Sequence, residues 1–125
     1  MFNCTTPTGK EFVFSTNFDM QIITITAESG FQFDYHLSAL KDLYCWLKYE
    51  MKGSWVLLGT TGEETPPKPG TVEEWARIEN NQVGGFYGLT NGRRGRFASY
   101  IPSILEYLGF VEIEHNAKNN HVRAL

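Results

Sequence analysis

The sequence predicts an α+β fold, and three observations carry that prediction. The first third alternates apolar and polar residues, the middle switches to helical spacing, and the last fifteen residues return to alternation around a polar turn. At 125 residues and 42% hydrophobic content, the chain is sized for one domain with its own core. That domain is expected to comprise a β-rich stretch over 1–36 and a helical unit with a terminal hairpin over 37–125.

The amino-terminal stretch reads as strands. "KEFVFST" alternates Phe12 and Phe14 with polar neighbours, and "MQIITITA" is rich in β-branched residues. "FQFDY" puts Phe31, Phe33 and Tyr35 on one side. The turn signal "ESG" between the last two runs makes them a hairpin.

In "HLSALKDLYCWLKYEM" the period changes. Leu40, Leu43, Tyr44, Leu47 and Met51 recur at helical spacing, Trp46 widens the stripe, and Gly53 ends it. "SWVLLG" is a short apolar run of strand length, and "TTGEETPPKPG" is an exposed loop because its prolines and glycines exclude regular structure. Thr71 opens a second helix as a capping box. Its side-chain oxygen accepts from the Glu74 amide while Glu74 reaches back to the Thr71 amide, which sets Trp75, Ala76 and Ile78 toward the core. That helix fades at Asn80 and Asn81. The glycine-rich "QVGGFYGLTNGRRG" is read as irregular. Ile101, Ile104, Leu105 and Leu108 then form a third stripe closed by Gly109, with Ser99 as cap so that Pro102 falls in the first turn.

The register of the last hairpin is the sharpest structural expectation. Pairing Ile113 with Val122 and Val111 with Ala124 turns both apolar pairs inward. It also sets Glu112 opposite Arg123 and Glu114 opposite His121 on the solvent side, an agreement that a one-residue slip destroys.

"SILEYLGFVEIEHN" followed by a polar turn and "HVRAL" resembles the third helix and wing of winged helix-turn-helix domains, with "WVLLG" as the small strand that joins the wing's sheet. The resemblance spans roughly 37–125 and is one of element types. It departs from the pattern in the long 81–98 connection, the proline-rich insertion and the amino-terminal strands. It implies binding of double-stranded DNA, with Ser99, Tyr100 and Ser103 on the exposed side of the reading helix and Lys118 at the wing tip.

Composition and chemistry agree with a binder more than with a catalyst. The net charge of -3 gives no overall field for a polyanion, yet residues 1–82 hold six Lys/Arg against eleven Asp/Glu while residues 83–125 hold five against three. Arg93, Arg94 and Arg96 lead into a helix amino terminus, where free amides and the helix dipole favour phosphate. A homodimer, built through the aromatic first helix or the amino-terminal strands, doubles such contacts. The other reading is a protein- or small-molecule-binding module in which Phe86 and Tyr87 beside glycines shape a shallow pocket. Enzymatic readings are weaker. His115 and His121 flank the wing turn without a third metal ligand, and Glu63-Glu64 and Glu73-Glu74 suit a loop and a helix cap. "GGFYG" and "NGRRG" lack the lysine of a phosphate-binding loop. No cofactor is therefore expected. Cys4 and Cys45 have no metal-ligand spacing, and no run is apolar enough to span a bilayer. A reduced, cytoplasmic setting is the expectation.

Overall fold

The computed structural model describes residues 1–90 and 96–125. Its architecture is α+β, with a four-stranded and a three-stranded antiparallel sheet joined by helices. The first sheet is a meander, β1 (Phe2–Thr5), β2 (Glu11–Asn17), β3 (Ile22–Ala27) and β4 (Gln32–His36), in that spatial order. Alternation directs Phe12, Phe14, Ile23, Ile25 and Tyr35 into the core. The expected hairpin is β3 and β4, closed where the Ala27 amide donates to the Phe31 carbonyl. Phe31, Phe33 and Tyr35 share one side as expected, their rings in sequence at 6.1 and 5.7 Å, but Phe31 precedes β4 and sits exposed at the rim.

α1 (Ser38–Cys45) follows and widens into a π-helical turn over Trp46–Glu50, where the Met51 amide reaches back to the Trp46 carbonyl. Gly53, at φ +72°, ends it, its amide donating a hydrogen bond to the Leu47 carbonyl at 3.0 Å. β5 (Val56–Leu57) enters the second sheet. α2 (Val72–Trp75) is a single turn, and Ile78 beyond it is 36% exposed rather than in the core, because the helix ends before Ile78 can share the buried face. Thr71 accepts from the Glu74 amide at 3.2 Å as expected. Glu74 reaches back one residue further than expected, to the Gly70 amide.

α3 (Phe97–Tyr107) lies at the centre of the molecule. Phe97, Ala98, Ile101, Pro102, Ser103, Ile104 and Leu105 are all buried, so the helix is covered on more than the one stripe its sequence advertises. It begins two residues earlier than Ser99. Arg96, at φ +66°, is the flanking residue, which places Pro102 in the helix interior. Leu108 is 48% exposed, since it is the C-cap and the chain turns away at Gly109.

β6 (Val111–Ile113) and β7 (His121–Ala124) pair as Val111 with Ala124, Glu112 with Arg123 and Ile113 with Val122, the register expected. β5 joins the other side of β7, giving the order β5-β7-β6. One ring cluster ties the parts together. Trp46 stacks on Trp75 and Trp75 on Tyr87 at 5.3 and 5.2 Å between centroids, while Phe97 meets Tyr35 and Tyr87 at 5.7 and 5.6 Å.

Candidate polyanion-binding cleft

A cleft of about 920 Å³ opens where four connecting segments converge. The β1–β2 turn contributes Lys10, held because the Thr6 amide donates to the Lys10 carbonyl at 2.8 Å and the Lys10 amide donates to the Thr6 hydroxyl at 3.0 Å. The proline-rich loop contributes Lys68, whose carbonyl accepts from the Thr71 hydroxyl at 2.7 Å. Arg96, just ahead of α3, has its amide on the Thr61 carbonyl at 2.9 Å. The β6–β7 turn contributes Lys118. That turn is clamped by Asn120, whose amide side chain exchanges hydrogen bonds of 2.7 and 3.0 Å with the Asn116 backbone.

These four cations face two carboxylates, Glu11 and Glu28, among the lining residues. Lys10, Lys68, Arg96 and Lys118 are exposed, and none forms an ion pair with another described residue. A locally positive cleft thus exists on a chain whose net charge is negative.

One buried carboxylate organises the wall. Glu73 is 0% exposed and accepts four hydrogen bonds, from the Phe97 amide (3.3 Å), the Ala98 amide (3.0 Å) and Arg77 Nε and Nη2 (3.1 and 2.9 Å). Arg77 in turn donates to the carbonyls of Thr61, Gly62 and Thr65, which pins the loop running over the cleft. Burial pushes the Glu73 carboxyl up, against the opposing pull of the Ala98 amide and Arg77. Glu73, expected from its first-turn position to serve the cap of its own helix, instead accepts from the first amides of α3. The amino terminus of α3, expected to attract phosphate, is thus already occupied by the protein's own carboxylate.

The sequence-predicted residues separate into groups. Arg96, Ser99, Tyr100 and Lys118 do line one cleft, together with Lys10 and Lys68. Ser103 does not. It is 1% exposed, its hydroxyl donates to the Ser99 carbonyl at 2.9 Å, and its carbonyl accepts from the Cys4 thiol at 3.4 Å. The expectation that Ser99, Tyr100 and Ser103 share an open reading face fails because the first sheet packs on that side of α3. Tyr100 is half-buried, edge-on to Phe12 and Phe33 at 5.0 Å each, and burial raises its hydroxyl pKa against the nearby Arg96 charge. Arg93 and Arg94 lie outside the described residues.

The alternative pocket at Phe86 and Tyr87 is corrected as well. Tyr87 is 0% exposed, in the ring cluster, and donates to Asp42 Oδ2 at 2.9 Å. Phe86 packs edge-on to Tyr35, and their segment seals the outer edge of β4 through a Tyr35–Gly88 bridge. Neither borders the basic cleft. His115 and His121 do not converge on a metal. Each takes its own acid, Glu106 at 2.7 Å and Glu114 at 2.6 Å, and no cluster of three metal-ligating side chains occurs among the described residues. Cys4 and Cys45 are free thiols, and no described helix is long and apolar enough to cross a membrane.

Lys10 and Lys68 were not legible as site residues, since each is a single lysine in a turn or loop. Only the tertiary meeting of the β1–β2 turn, the proline-rich loop and the β6–β7 turn assigns them to a site.

An α+β domain with a basic cleft between its loops is the class that the fold and site define. The chain belongs to a family of unknown function, DUF6855, whose model matches residues 3–125. No curated protein and no solved structure matches it.

Proposed function

We propose that this protein is a non-enzymatic nucleic-acid-binding domain that takes the phosphate backbone of a single strand into the cleft between the β1–β2 turn, the proline-rich loop, α3 and the β6–β7 turn. The observation that carries this reading is the convergence of Lys10, Lys68, Arg96 and Lys118 on one cleft from four separate segments. Ser99, Tyr100 and the lining threonines Thr8 and Thr60 supply neutral phosphate donors.

The element order from α1 onward, helix, strand, helix, helix, strand, strand, with β7 central in its sheet, supports the winged-helix likeness. The covered α3 argues that the likeness does not extend to reading a major groove with that helix. A recessed cleft admits a flexible strand more readily than the side of a rigid duplex.

Fluorescence anisotropy with labelled oligo-dT and with a random-sequence duplex at low salt tests the proposal. Four phosphate contacts give a slope of log K against log salt of about -3 for a single strand. The Lys10→Ala/Lys68→Ala/Arg96→Ala/Lys118→Ala variant is expected to lose most of both affinity and slope. Equal binding by the variant removes the cleft from the account. A preference for duplex overturns the single-strand reading.

A further inference from the structure

The outer edge of β1 offers a second surface, which meets the basic cleft at Glu11 and Glu28. The Thr6 amide bonds to the Lys10 carbonyl, so Thr6 and Lys10 form a hydrogen-bonded pair at the end of the β1–β2 ladder. Bonded and non-bonded pairs alternate along an antiparallel ladder. Cys4 and Phe2 are therefore the bonded positions, opposite Phe12 and Phe14, while Asn3 and Thr5, opposite Val13 and Glu11, turn their amides and carbonyls away from β2. β1 is the first strand of its sheet and, among the described residues, no strand pairs beyond it, whereas the opposite edge at β4 is sealed by the Gly88 segment. Asn3 and Thr5 are exposed, and the Cys4 thiol makes a long contact of 3.9 Å to the Thr5 carbonyl.

Both residues border a cleft of about 670 Å³ whose far wall is the Ser103, Glu106 and Tyr107 side of α3. Its charged lining is acidic throughout: Glu11, Glu28 and Glu106. Glu106 Oε2 is engaged by His115, while Glu11 and Glu28 have no ion-pair partner among the described residues. Strand alternation puts Glu11 on the face opposite Cys4 and Phe12, and Glu106 approaches from the helix on the Cys4 side, so carboxylates flank the edge above and below.

We propose that this edge receives an extended, lysine- or arginine-bearing peptide segment of a partner protein. The segment adds as a fifth strand, its backbone bonding to Asn3 and Thr5 and its cations meeting Glu11, Glu28 and Glu106. The main chain supplies the pairing and the carboxylates select the charge.

Anisotropy with a labelled peptide of alternating lysine and threonine tests the proposal on the full chain, with a glutamate-threonine peptide as control. Saturable binding of the basic peptide alone is expected. Thr5→Pro deletes an outward amide without removing a ladder bond and should weaken binding about tenfold, with the melting curve retained. Glu11→Gln/Glu28→Gln should weaken it severalfold. Should Thr5→Pro fail to fold, amide exchange on the unaltered protein decides: the Asn3 and Thr5 amides become protected when the peptide is added. Absence of saturable binding, equal binding of the acidic peptide, undiminished binding by folded Thr5→Pro, or unprotected amides in the peptide-bound state each overturns the proposal.

Discussion

Replacing Glu73 by alanine removes the acceptor on which three parts of the molecule meet. The Phe97 and Ala98 amides at the start of α3 lose their partner in a buried setting, where an unsatisfied amide costs about 1–3 kcal/mol. Arg77, only 12% exposed at its side chain, loses its counter-charge, and breaking a buried ion pair from one side costs about 3–5 kcal/mol. These effects overlap because they share one carboxylate, so a combined loss of about 4 kcal/mol is expected. That is a large part of the roughly 5–15 kcal/mol by which domains are stable. Glu73→Gln should also be costly. One of its terminal atoms becomes a donor, and Phe97, Ala98 and Arg77 all present donors to that site. Urea unfolding followed by circular dichroism measures both variants, with Glu74→Gln as control, since glutamine can still accept from the Gly70 amide. A loss below about 1 kcal/mol for Glu73→Ala would refute the argument that this carboxylate joins α2, α3 and the cleft loop.

Gly59 has φ +65°, and a Cβ added there would sit 2.5 Å from Thr71 Cβ, so Gly59→Ala should destabilise by about 2 kcal/mol in the same assay. Thr71→Ala removes the cap on α2 and should lower stability by about 1 kcal/mol, with Thr71→Ser restoring most of it. His115 has Nε2 on Glu106 and Nδ1 on the Pro7 carbonyl, two acceptors that only the imidazolium satisfies together, and the Glu106 bond raises its pKa above 6.5. Its contribution is therefore fully present below 6.5 and lost as pH rises through the higher folded value, so stability should decline across that window and His115→Ala should flatten the decline. The pair is partly exposed, so the effect should stay below about 1 kcal/mol.

Elements whose signal is local were legible in the sequence. The β6–β7 register follows from four cross-strand pairs that agree only in one alignment, and α1 from its five-point stripe. β1 was missed because "FNCT" is short and has no apolar alternation of its own; it is a strand because β2 pairs with it. α3 was seen as a helix but not as a buried one. Its Ser99, Tyr100 and Ser103 side looks polar, and nothing local shows that a sheet formed earlier in the chain covers it. The same cause explains Tyr87: glycines around a ring suggest an exposed loop, whereas Trp75 and Phe97 from distant segments enclose it. Half of the cleft's cations were legible, since Arg96 and Lys118 are marked by their place before a helix and in a turn. Lys10 and Lys68 are not so marked.

Backbone amide shifts of the isotope-labelled protein, followed as oligo-dT is titrated at low salt, test the central claim most directly. The account predicts that the largest changes cluster at Thr8 and Lys10, Thr60 and Thr61, Lys68, Arg96 and Ser99, and Lys118 and Asn119, and that they reverse as salt is added. Changes that leave these residues untouched, or no change at all, would contradict it.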